Sequence, residues 1–106
     1  MNIPPRVRIV ERSLLARIAA WWLRSDTMAM VLGRVIHLHG VDTQAFLGNP
    51  RWVRHELAHV AQYHRMGCGA FLLRYIWWSL RYGYYDNPLE QEARAAESSS
   101  APDSQV

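Results

Sequence analysis

His55-Glu56-Leu57-Ala58-His59 is the most informative stretch of this chain. The stretch has the form His-Glu-x-x-His and lies in a segment whose apolar spacing is helical. Two His four residues apart project from one face of a helix, one turn apart, so both imidazoles reach a single metal ion. Zinc suits such a pair, because neutral imidazole nitrogens bind it and two ligands leave room for a third and for a water. Glu56 directly follows the first His, where it can serve as general base to a metal-activated water. A solvated helix surface can carry the same five residues, so the rest of the chain has to discriminate.

The helix around the motif is well marked. Asn49 is its N-cap, Pro50 its first residue, and Gly67 ends it after about Arg65. Val53, Leu57, Val60 and Ala61 form its expected core face. Upstream, Asp42-Thr43 caps a short helical turn through Phe46-Leu47. Thr27 to His39 reads as β-structure, a hairpin or bent strand around Gly33-Arg34. His37 and His39 are two apart and share a face of that strand, which suits a polar face beside a cleft better than a metal pair.

Pro4-Pro5 keeps Met1 to Pro5 an extended arm. From about Val10 to Leu23, Leu14, Leu15, Ile18, Trp21 and Trp22 recur at helical spacing, with Arg12, Arg17 and Arg24 on the wet side. This predicts an amphipathic helix packed on the core. A helix lying on a membrane surface, which Trp and Arg together also suit, is the alternative. Downstream, Gly69 to Tyr82 is an aromatic helix stopped by Gly83, and Tyr84-Tyr85-Asp86 is a loop. Asn87-Pro88 repeats the start signal of Asn49-Pro50 and opens a last helix to about Glu97. One domain, residues 1–97, is expected, with 98–106 a disordered polar tail.

The chain has 106 residues, half of them hydrophobic, which is enough for one real core. Its formal net charge is +3 and every basic residue is Arg. The Arg are scattered rather than clustered, which argues against nucleic acid as a partner. Cys68 is alone, so there is no disulfide framework; it reads as a small buried or half-buried residue at a turn. The apolar stretches Ile18 to Leu23 and Phe71 to Leu80 are too short for a signal core or a membrane span. A cytoplasmic location is expected.

A catalytic zinc usually takes three protein ligands. His64, His37, His39, Glu90, Glu92 and Glu97 are the candidates. His64 lies about 500° around the helix from His59, well off the ligand face. The long motif His-Glu-x-x-His-x-x-Gly-x-x-His is excluded, because Gln62 stands at its Gly and Arg65 at its last His. Glu90 and Glu92 sit on the helix after Asn87-Pro88. Glu90 also fits a capping box with Asn87, and Glu92 a solvated position, so spacing alone leaves both open.

His55 to Gln62, then an aromatic helix, then Asn87-Pro88-Leu89-Glu90-Gln91-Glu92-Ala93 resembles the minimal gluzincin-type zinc metallopeptidases of bacteria. The resemblance spans roughly Met30 to Glu97. It implies an α+β fold, mostly helical and zincin-like, with a small antiparallel sheet and an HExxH active-site helix. It implies Zn2+ as cofactor, a peptide or protein as substrate, and Glu56 as general base. The family pattern Glu-x-x-Ala maps onto Glu90 and Ala93, with Glu92 the fallback ligand. The next position, often Asp or Asn in that family, is Arg94, a departure at the usual hydrogen-bond partner of a ligand His. Related sites use Tyr or His toward the oxyanion, for which Tyr82, Tyr84, Tyr85 and His39 are candidates, and Gln62 is a candidate second partner of the site. The other reading is a zinc-binding but non-catalytic interaction module, its partner bound through helix 69–82, which an exposed Trp77-Trp78 patch would support.

Overall fold

Gly33 and Arg34 turn the chain so that β2 (Met28–Leu32) folds back on β3 (Val35–His39). Gly33 takes the left-handed conformation there, φ 67°, which Gly adopts without penalty. This hairpin belongs to a computed structural model of the chain, which describes residues 3–98; the tail from 99 onward lies outside the described residues.

The strands are not all antiparallel. β1 (Arg8–Val10) lies beside β3 in parallel, Arg8 opposite Val35, while β2 runs antiparallel with Met28 opposite His39. The sheet is therefore mixed, in the order β1-β3-β2. The expected antiparallel sheet is corrected by a strand that the sequence hid, since Arg8-Ile9-Val10 is too short to show alternation. The first helix consequently starts later than Val10: α1 is Leu14–Leu23, with Ser13 as N-cap.

The other helices sit where their caps predict. Asp42 caps α2 (Thr43–Leu47), and its side chain accepts from the Ala45 amide. Asn49 caps α3 (Pro50–Met66), accepting from the Trp52 amide. α4 (Cys68–Tyr82) and α5 (Pro88–Ala96) follow. Cys68 is exposed at the first turn of α4, not buried as expected. The class is α+β and mostly helical.

Val53, Leu57 and Val60 of α3 pack with Ile36, Leu38 and Phe46 in the core, all at 1% exposure or less. Ala61 is buried with them. One face of α3 thus holds the sheet and α2, and the helix also packs on α4 and α5.

α1 corrects the sequence reading most sharply. Its buried residues are Ala16 and Ala20, against β2 and β3, while Trp21 and Trp22 stand 76% and 77% exposed. Leu14, Leu15 and Ile18 are exposed with them. The cause lies at the helix start. The Ser13 amide donates to the Leu38 carbonyl and its hydroxyl pairs with His37 Nδ1 at 2.8 Å, which draws the helix close to the sheet. Only small side chains fit between, so the bulky stripe faces outward. Periodicity says which residues share a face, not where the face points.

Candidate metal centre

One turn of α3 carries His55, Glu56 and His59, and α5 brings Glu90 over them. The helices meet because Gln62, fully buried, donates its amide to the Leu89 carbonyl at 3.0 Å, just before Glu90. His55 Nε2 lies 3.0 Å and His59 Nε2 3.3 Å from the same Glu90 Oε1. These three residues form a group whose donor atoms all lie within 4.8 Å of one another, and which could hold a metal ion. His55 is half-buried, His59 and Glu90 buried.

The outer nitrogens are fixed as well. Gln62 uses both amide protons, on Leu89 O and on Glu92 Oε1, so its Oε1 faces His59 Nδ1 at 2.9 Å and accepts its proton. His55 Nδ1 donates to Glu97 Oε2 at 2.8 Å. Each imidazole is thereby oriented with Nε2 toward the centre, the arrangement that supports ligand histidines. Glu97 is itself held by Arg51 at 3.3 Å and by Arg54 on its carbonyl at 2.7 Å.

Glu97 thus supplies the outer hydrogen-bond partner of His55, and Arg94 does not contact either His. Arg94 turns away, donates to the Tyr85 carbonyl and lies 4.0 Å over the Tyr85 ring. Glu97 was available as a signal: it stands seven residues, two helical turns, beyond Glu90 on the same face. Tyr75 was not legible. Its hydroxyl donates to Glu90 Oε2 at 2.5 Å, but in an aromatic-rich helix a Tyr reads as packing.

Glu90, not Glu92, points inward. Glu92 is bound by Gln62 and Arg65 at 2.8 and 3.1 Å, half exposed. The capping-box alternative for Glu90 fails, because its carboxylate is taken by His55, His59 and Tyr75. Asn87 caps α5 alone, accepting from the Leu89 amide while donating to Tyr75 O and Ser79 Oγ.

A cleft of about 590 Å³ opens over these residues, lined by His55, Glu56, His59, Glu90, Tyr75 and Tyr84, by all of β2, and by parts of α1 and α4. Tyr84 is therefore at the site. Tyr85 and Tyr82 are exposed, with Arg94 and Arg81 stacked on their rings, and do not line the cleft. His39, the other oxyanion candidate, lies at the end of the central strand β3 and also does not line it. His37 serves Ser13 rather than a cleft.

Burial pushes the Glu56 carboxyl up to about 7, although His59 and His55 oppose the shift. Burial also disfavours the His55 cation, but Glu90, Glu56 and Glu97 outweigh it and raise His55 to about 9. His59 is raised too, burial being overcome by Glu90. Glu90 itself is pulled far below the carboxylate range: burial works against this, and bonds from His55 and His59 prevail.

These directions fix how the metal-free protein responds to pH. Glu56 holds its proton in the folded state up to about 7 but releases it near 4.5 when unfolded, so stability falls across that window. His55 stabilises fully below 6.5 and loses that contribution as pH rises through about 9. Glu90 stabilises above 4.5 and loses its contribution only as pH drops through its lowered value. Between about pH 5 and pH 9 the metal-free Tm is expected to fall, by on the order of 5 °C or more. A metal ion held by these three residues would displace the same protons, so any Tm gained on adding one is expected to grow over the same range. Scanning calorimetry with and without chelator reads both slopes; a metal-free Tm that rises with pH contradicts the charge assignment.

Comparison of the chain with protein-family models, with curated proteins and with solved structures finds no match.

Proposed function

We propose that this chain is a zinc-dependent metallopeptidase, a zincin-like domain of the minimal gluzincin type. The observation that carries the proposal is the convergence of His55, His59 and Glu90 beside a buried Glu56 at the floor of a cleft. Two imidazole nitrogens and one carboxylate oxygen are the donor set of catalytic zinc, and donors of a tetrahedral zinc lie about 3.3 Å apart, close to the 3.0 and 3.3 Å separations here. Glu97 and Gln62 on the outer nitrogens add the support such ligands need.

Zinc, when bound, supplies a Lewis acid that polarises the scissile carbonyl and makes water acidic near neutral pH. The chain's own residues do the rest. Glu56, whose carboxylate form a neighbouring cation favours, takes the proton of the attacking water and returns it to the leaving amine. Tyr75 steadies the Glu90 carboxylate. Tyr84 is pushed far up by burial and by Glu90, so its hydroxyl stays protonated and is a donor for the oxyanion. β2 is an edge of the sheet, and an extended peptide can pair with it to reach the site.

Elemental mass spectrometry of tag-free protein tests the metal. About one zinc per chain is expected. No zinc, even after reconstitution, removes the enzyme reading. The non-catalytic interaction module is favoured by one observation, the 62% exposure of Trp77, while Trp78 is half-buried against the core. Zinc binding without cleavage of any peptide in a diverse library would select that reading.

A further inference from the structure

Two helices border the mouth of the cleft, and both turn large apolar side chains outward. α1 presents Leu14, Ile18, Trp21 and Trp22; α4 presents Leu73, Ile76, Trp77 and Leu80, the last 80% exposed. Leu15, Ile18 and Trp22 of the one and Leu72 of the other line the cleft itself, so the two rows flank a single opening. Large apolar side chains exposed side by side in this way mark an interaction surface.

The charges on and next to these rows are mainly of one sign, with Asp26, two residues beyond Arg24, the exception. α1 carries Arg17 and is bracketed by Arg12 and Arg24; α4 carries Arg74 and Arg81; neither helix contains an acidic residue. Glu11, the nearest carboxylate before α1, is turned to the Thr43 amide at 2.7 Å. Trp and Leu rows edged mainly by Arg, five guanidinium groups to the one carboxylate of Asp26, match the boundary of an anionic bilayer, where aromatic rings enter the interface and guanidinium groups meet phosphates. The long Arg stems let the heads reach outward while the rings go deeper. A fluid surface also accommodates two rows separated by an open cleft, which a rigid partner would have to fill. Among the described residues no helix is long and apolar enough to cross a membrane.

We propose that the α1 and α4 faces dock this protein onto anionic phospholipid membrane surfaces, with the mouth of the cleft turned toward the lipid. The proposal goes beyond the peptidase reading and does not require it. Docking at this face brings His55 and Glu56 to substrates that lie at the bilayer surface.

The test uses the whole chain with sonicated vesicles, one set of phosphatidylcholine and another with phosphatidylglycerol added at about one part in three, a strongly anionic surface. Co-sedimentation with the anionic set is expected, with a blue shift of Trp emission and weakening at high salt. The triple variant Trp21→Ser, Trp22→Ser, Trp77→Ser is expected to lower partitioning by at least about 100-fold, since three large apolar groups no longer leave water. All three residues are exposed, so its melting curve should match the parent. Three results overturn the proposal: no sedimentation with either set, equal binding to both, or light scattering that shows oligomers burying the tryptophans. Vesicle binding is read without metal or turnover, so its failure leaves the zinc reading standing, and absence of zinc leaves docking standing.

Discussion

Glu56→Gln is expected to keep about one zinc per chain and to lower peptide hydrolysis by roughly 10²–10⁴-fold, the usual contribution of a positioned general base. Gln matches Glu in shape and remains buried on α3 between the two His, so the site survives. What it lacks is a basic oxygen. In the metal-free parent burial raises the Glu56 carboxyl to about 7; beside a bound cation its carboxylate form is favoured and can accept the proton. The same substitution removes a group whose ionisation opposes folding above about 4.5, so the metal-free variant should melt higher than the parent near pH 8. Paired assays of zinc content and turnover read the first result. Hydrolysis that persists in the zinc-loaded variant removes Glu56 from the mechanism.

Glu90→Gln and Glu92→Gln are expected to differ by at least about 100-fold in zinc affinity, because only one removes a ligand charge. Glu90 meets both Nε2 atoms and is 3% exposed; Glu92 is an outer residue tied to Arg65 and Gln62. Glu90→Gln also leaves two raised histidines without their main counter-charge, so the metal-free protein should lose about 3 kcal/mol, the scale for breaking a buried pair by removing one partner. Glu92→Gln should stay within about 1 kcal/mol, as exposed pairs do. Competition titration against a zinc chelator separates the two, and equal loss in both variants would assign the third ligand elsewhere.

Much of this was legible in the chain because caps and periods are local. Asp42, Asn49 and Asn87 each fix a helix start by accepting an amide proton nearby, and Gly67 and Gly83 end helices at φ 85° and 86°. The two His of α3 needed only the helical pitch. The hidden parts depend on partners far along the chain. β1 exists because it meets β3, some 27 positions away in the pairing of Arg8 with Val35. The outward turn of α1 depends on Ser13 reaching His37 and Leu38. Glu90 was separated from Glu92 by the resemblance, not by spacing, and the contact with His59 through Gln62 and Leu89 is what orients it. Tyr75 depends on α4 bringing its hydroxyl to Glu90 of α5, which no window of sequence encodes.

The two outer strands of the sheet are protected very unequally. β1 is three residues long, follows Pro4-Pro5, and carries Arg8 with Arg6 just before it. Short length, proline and charge are the devices that keep an edge from recruiting other chains. β2 is Met-Ala-Met-Val-Leu, five residues with no charge and no proline. By the same criteria it is an aggregation hazard. The safeguard against strand-to-strand sticking therefore stops at the strand that lines the cleft beside His55 and His59, and the liability and the proposed peptide seat are the same five residues.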